Sequence, residues 1–433
     1  MPTLHKSRPT LALATACVAG LLLSACGGGS SSAAAGATDF SMLINDDNHV
    51  VQQELTSLSS GSCKTANDAL PLKIQTVPIS GVDQKVQLLA GQNALPAQFA
   101  AGNAPALAKQ LTKAGQVADL EKTLKDLGVW DNIQPAAVKT VENLYGGFTV
   151  MPYQFNIEGI WYNKKLFADN GLAVPTTYDE LVTAATKLKA AGVTPFSASG
   201  KAGWPITRLI SGYLYRDLGP DALQAVAEGK AKLTDPEYVK AAQAIADLGK
   251  AGYFGKGIGS IDYDTAVQQF LTGKAAMFYM GSWELGDFND TAKNKIGADN
   301  IGFMSFPAVT GGKGSADQIP ANVGLPVAVS AKSYNAKVGD WLSCISKNYG
   351  ASALKEQGSI SGFKPNGDTG TLPALTTTVQ ETIAKTTTSV LWFEALFSTK
   401  ATETSQTNAA SLVTGTITAA DFMKKVQTDL DNG

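Results

Sequence analysis

Three tryptophans carry the most specific chemistry in this 433-residue chain: Trp204 in "KAGWPIT", Trp283 in "YMGSWEL" and Trp392 in "SVLWFEAL". Each stands at the end of an expected strand or in a loop, where one ring face can stay open. An open indole face suits the apolar C–H face of a sugar, while amide and carboxylate side chains take its hydroxyls. The alternative is ordinary core packing, which is what most tryptophans do. Trp130, Trp161 and Trp341 are assigned to packing.

Other chemistries are weakly represented. The chain has two histidines, His5 and His49, and His5 lies in a segment that reads as removable. One remaining imidazole is too few for histidine-bridged metals and several Ser-His-Asp systems, and His49 beside "NDD" reads as a surface or helix-start residue. "GKGIGS" lacks dinucleotide-loop spacing and reads as a turn. "FLTGKAAM" lacks the upstream glycine of a phosphate loop, and "GSISG" has Ile360 where a nucleophile elbow needs serine. No catalytic residue, metal or cofactor is assigned. Paired carboxylates for glycoside cleavage stay open, because the deciding separation is spatial.

The amino-terminal stretch explains a lone cysteine. Lys6 and Arg8 precede the uncharged "LALATACVAGLLL", then Ser24, Ala25 and Cys26. This is the basic region, short apolar run and small-residue cleavage site of an export signal, too short to span a bilayer. "LSAC" matches the bacterial lipobox, in which the cysteine becomes the lipidated first residue. Residues 1–25 therefore read as a lipoprotein signal peptide, and 26–38, including "GGGSSSAAAG", as a flexible tether. A formal net charge of −2 without a basic run makes nucleic acid an unexpected partner.

The remaining ~395 residues exceed one core and suggest two domains. "DFSMLI", "HVVQQELTSL" and "LKIQTVPI" read as strand, helix and strand, an α/β unit with a parallel sheet. Thr177 and Glu180 form a capping box ahead of a helix with Leu181, Ala185 and Leu188 on one face. "DTAVQQFLTG" reads as a helix ending at Gly273 before the strand "AAMFYM". "LPVAVS" reads as a strand followed by the helix "AKVGDWLSCISKNY". Cys63 and Cys344 are either a disulfide pair or buried free thiols.

Ordered landmarks in this region resemble the bacterial solute-binding proteins of ABC importers, in particular the carbohydrate-binding group. "MPYQFNIEGIWYNKKLFADNGLAVPTTYDELVTAATKLKAAGVTPF" is similar to a family stretch in which Tyr162, Asn163, Lys164, Leu166 and Phe167 match, with Tyr178 replacing a tryptophan. "QQFLTGKAAMFYMGSW", "IGFMSFPAVTGGKG" and "LPVAVSAKSYNAKVGDWLSCIS" follow in family order.

The resemblance implies an α/β, two-lobed periplasmic-binding-protein-like fold with discontinuous lobes, a ligand cleft and a hinge. Lobe 1 is expected over 39–149 plus 307–352 and lobe 2 over 150–306 plus 353–433. It implies ligand contacts from Trp283, Trp392 and Asn156, beside which Trp204 stays a candidate on its own placement. Asp46, Asp47 and Asn48 follow the first strand as polar contacts or as helix-start residues. It also implies a carbohydrate ligand, an ABC permease partner, membrane attachment through Cys26 and a monomer. Cys63 and Cys344 fall in one lobe on this map. A same-fold receptor for a non-sugar solute and a lipid-anchored glycosidase or lyase are the rival readings.

Overall fold

The computed structural model describes residues 37–45, 49–77, 81–101, 105–324, 326–386 and 388–432. The lipobox Cys26 and the candidate contacts Asp46, Asp47 and Asn48 lie outside the described residues. Eleven described strands form two sheets. These are β1 Phe40–Asn45, β2 Leu72–Val77, β3 Gln98–Ala100, β4 Met151–Pro152, β5 Asn156–Asn163 and β6 Thr194–Ser197, then β7 Ala275–Gly281, β8 Ile301–Met304, β9 Gln318–Asn322, β10 Pro326–Val329 and β11 Thr388–Val390.

The first sheet runs β2-β1-β3-β10-β4; the second runs β11-β9-β5-β7-β6, with β8 also paired to β5. In the first sheet β1 is parallel to β2 and β3, as expected where helices connect successive strands. β10 enters antiparallel between β3 and β4. The helices His49–Ser60, Lys64–Ala69 and Ala336–Gln357 pack together on this sheet's side of the molecule.

Strand pairing shows where the chain passes between the two sheets. Met151–Pro152 pairs in the first sheet and Asn156–Ile157 in the second, so the chain first passes between the sheets over residues 153–155. Gln318–Asn322 bonds to β5 and β11, so the second sheet keeps the chain to Asn322. The first crossing is tied to the segment that follows the helix Ala336–Gln357: the Phe155 N–H donates to Ile360 O at 2.9 Å and the Gly362 N–H to Pro152 O at 2.8 Å. Gly324, at φ +54, sits where a Cβ would come within 2.5 Å of the Gln154 side chain. Two crossing segments touch there, which only glycine permits.

Local signals in the sequence have visible structural causes. Thr177 Oγ1 accepts from the Glu180 N–H and Glu180 accepts from the Thr177 N–H, both at 3.2 Å, starting the helix Tyr178–Ala190. Asp262 caps the helix Tyr263–Leu271 by accepting from the Thr265 N–H, and the fully buried β7 follows. Trp161 and Trp341 are core residues with no exposed surface. Their indole N–H groups donate to Met280 O at 3.0 Å and Leu70 O at 2.7 Å. Cys63 and Cys344, 281 positions apart, are disulfide-bonded, with Cα atoms 5.7 Å apart. Among the described residues, no helix is long and apolar enough to cross a membrane.

Candidate functional site

The second sheet places its polar and aromatic residues at one corner. β7 ends at Gly281, and the next turn, Ser282–Glu284, carries Trp283. The ring folds back onto the strand end: a Cβ on Gly281 would stand 2.0 Å from the nearest Trp283 ring carbon. The Gly-Ser-Trp order is therefore a packing requirement, since no side chain fits under the indole.

The helix Trp204–Leu218 begins beside this turn. Trp204 meets Trp283 edge to face, with centroids 5.8 Å apart, a geometry favoured by the ring quadrupoles. Arg208, one turn further on the same helix face, lays its guanidinium 4.7 Å from the Trp204 centroid. The same group lies 5.5 Å from the ring of Trp392, two residues beyond β11. All three candidate tryptophans are half-buried, whereas Trp161 and Trp341 are closed in. Trp130, also half-buried, stands apart against Phe148 and Lys125.

Asn156 joins this cluster through hydrogen bonds. Its Oδ1 accepts from Ser282 Oγ at 3.4 Å, and its Nδ2 donates to Asn322 Oδ1 at 3.3 Å. Asn322 Nδ2 donates to Glu158 Oε1 at 3.0 Å, and that oxygen lies 2.6 Å from Arg208 Nη1. A continuous polar path thus runs from the Trp283 turn to the guanidinium between Trp204 and Trp392. It passes through β5 and β9, where Asn156 and Asn322 are paired across the ladder.

Buried charge gives the corner its electrostatics. Glu158 has no exposed side-chain surface. Glu394, two residues past Trp392, is buried and accepts from Thr207 Oγ1 and from Ser405 Oγ. Burial lowers the Arg208 pKa, but Glu158 and Glu394 more than offset this and hold it above its ordinary value. Burial raises the Glu394 carboxyl, against the pull of Arg208. The cation is therefore matched by carboxylates before any ligand arrives.

The structure brings together Trp204, Trp283, Trp392 and Asn156, which lie up to 236 positions apart in the sequence. It adds Arg208, Glu158, Asn322 and Glu394, which sequence reading passed over. Two of these had a local signal. Arg208 stands at helical spacing from Trp204, and Glu158 shares the strand face of Asn156 at a spacing of two. Among the described residues no group of His, Cys, Asp and Glu could hold a metal.

Residues 64–348 match the family model described as bacterial extracellular solute-binding protein. The chain belongs to that family. These proteins work outside the cytoplasm, and the two-sheet α/β architecture is that of their two-lobed fold. Our solute-binding protein is similar to a "probable sugar-binding periplasmic protein" of Rhizobium meliloti (strain 1021), 26% identical over 302 residues, 64% of this chain and 71% of that one. It is similar to the "multiple sugar-binding protein" of Streptococcus mutans serotype c, 30% identical over 197 residues, 43% of this chain and 44% of that one. Among solved structures, a chitin oligosaccharide binding protein superposes with a TM-score of 0.75 at 25% identity, covering 92% of this chain and 98% of that one.

Proposed function

We propose that this solute-binding protein is a lipid-anchored receptor that captures a carbohydrate, an oligosaccharide rather than one ring, and passes it to an ABC permease. The observation that carries the reading is the cluster of three half-buried tryptophans around Arg208. Several ring faces at one corner offer stacking surface for more than one pyranose, and Asn156 supplies the amide that hydroxyls need. The names of the relatives, sugar-binding in both Rhizobium meliloti and Streptococcus mutans, support the same class.

Lobe 1 is taken as 39–152 plus 326–370 and lobe 2 as 156–322 plus 374–432, each built around one sheet. Closure about the crossings at 153–155, 323–325 and 371–373 buries the ligand, and the sugar shifts the open and closed populations through contacts that only the closed form makes. Asp46, Asp47 and Asn48 are proposed as further polar contacts to the ligand. Cys26 carries the lipid and residues 27–38 the reach.

Tryptophan fluorescence of the purified protein tests this reading. Chitobiose, raffinose, xylo-oligosaccharides and galactose are titrated beside polyamines, short peptides and sn-glycerol 3-phosphate. A saturable change with one sugar class, lost in Trp283→Ala and with the sugar recovered intact, is the expected result. Saturation by a non-sugar solute alone would sink the carbohydrate assignment, and recovery of cleaved sugar would make the protein an enzyme.

A further inference from the structure

The indole N–H of Trp283 donates to the hydroxyl of Tyr263 at 3.0 Å. The same hydroxyl donates to Oε1 of Glu284. Tyr263 opens the helix Tyr263–Leu271, while Trp283 and Glu284 sit side by side in the turn after β7. One phenol therefore grips two adjacent residues of the turn that carries a candidate sugar contact. Its ring also lies 6.1 Å from that of Trp204.

With Glu284 ionised, the direction of this chain of hydrogen bonds is fixed by the groups themselves. An indole nitrogen can only donate, and an ionised carboxylate can only accept, so the hydroxyl must receive from one and give to the other. Two bonds in line polarise each other. Glu284 is buried at 8% exposure, so its carboxylate has little water to turn to instead. Besides Tyr263, the charged groups acting on Glu284 are Asp287, Lys293 and Asp264. The Lys293 ammonium is taken by Asp287 at 2.6 Å.

We infer that Tyr263 is a positioning residue for ligand recognition, fixing the ring plane of Trp283 through Glu284. The inference rests on the carbohydrate reading of the site. Its consequence is specific: the indole N–H of Trp283 is already committed, so this residue meets a ligand with its ring face alone. Hydroxyl recognition at the corner falls to other groups, and Trp283 selects for an uninterrupted C–H face. Burial, and then the charge of Glu284, push the Tyr263 phenol well up, so it keeps its proton at any pH the cell meets.

The test compares the full chain with Tyr263→Phe, Glu284→Gln and Trp283→Phe. The first removes one oxygen from a half-buried ring and leaves the packing in place. The first readout needs no ligand: the Trp283 indole N–H resonance in a 15N-labelled sample, identified by its loss in Trp283→Phe. In Tyr263→Phe this resonance should shift and its proton should exchange faster with solvent. The second readout is affinity, with chitobiose and raffinose as the probes. Tyr263→Phe should weaken binding about tenfold, and Glu284→Gln, which keeps an acceptor oxygen without its charge, should weaken it less.

An unchanged resonance in Tyr263→Phe overturns the hydrogen-bond chain. A shifted resonance with unchanged affinity overturns its part in recognition. If wild-type protein binds neither these probes nor any other sugar, the carbohydrate reading fails, and the resonance still decides whether Tyr263 positions the ring. Should Tyr263→Phe fail to fold, Glu284→Gln carries both readouts.

Discussion

The guanidinium of Arg208 lies 4.7 Å from the ring centre of Trp204, four residues earlier on the same helix. Its other partners come from far away in the chain: Glu158 from β5 at 2.6 Å and Trp392 from beyond β11 at 5.5 Å. A single side chain thus ties a helix, a central strand and a carboxy-terminal loop at the point where the candidate contacts meet.

Removing that charge should cost more than the ring contacts are worth. Arg208→Met leaves Glu158 fully buried without its cation, a change expected to destabilise by about 3–5 kcal/mol. Pairing it with Glu158→Gln removes the orphaned charge and should recover a large part of the loss. Urea unfolding of the two singles and the double measures this coupling. Strict additivity would mean that the ion pair contributes nothing beyond its parts.

Gly281→Ala acts on the site with little effect on the sheet. The new methyl would fall 2.0 Å from the Trp283 ring, so the ring must swing off the strand end. We expect oligosaccharide affinity to drop about tenfold or more, with a change in tryptophan emission before any ligand is added. Fluorescence titration of the variant checks both, and an unchanged emission spectrum and affinity would contradict the contact.

Stability should fall as pH rises above the acid range. Glu54 has no exposed surface and faces Ser352 and Glu356 of the helix Ala336–Gln357. Burial raises its pKa above 4.5 in the folded protein. Glu284 and Glu394 are raised by burial too. Between 4.5 and these higher values the folded form holds protons that the unfolded chain has released. Their contribution is therefore complete below 4.5 and is lost as pH climbs through the folded values. Glu54→Gln should flatten this slope and raise the melting temperature at neutral pH by a few degrees. Calorimetry from pH 4.5 to 7.5 decides it.

The Cys63–Cys344 bond closes a loop of more than half the chain. Replacing both cysteines by serine should cost about 2–4 kcal/mol, because the unfolded chain regains the freedom that the bond removes. The wild-type melting curve in dithiothreitol should converge on that of the double variant, while the curve without it should stay at higher temperature. A wild-type curve insensitive to reductant, with the thiols shown to be free, would refute the assignment.

Local chemistry in the sequence marked the elements well. The Thr177–Glu180 box, the strand 275–281 and the helix beginning at Ala336 are all encoded within a few residues of where they occur. Sheet membership was less legible. Nothing within Gln318–Asn322 states that it will bond to Asn156–Ile157 and to Thr388–Val390, because a strand's partner is fixed by the rest of the fold. The tryptophans were visible as chemistry, while the groups that brace them were not. Glu158, Arg208 and Glu394 look like ordinary charges until the chain brings positions up to 236 apart into one buried corner.

The placement of β10 bears on how the protein is made. Pro326–Val329 lies between β3 and β4, strands that leave the ribosome and the export channel well before it. Until it arrives, Gln98–Ala100 presents one open edge in a chain that is already emerging into an envelope crowded with other newly exported proteins. By then β5 to β9 have been delivered, so the second sheet lacks only β11 when the first is still missing an interior strand. The half of the protein that starts first is closed late, and escort during export would protect that open edge above all.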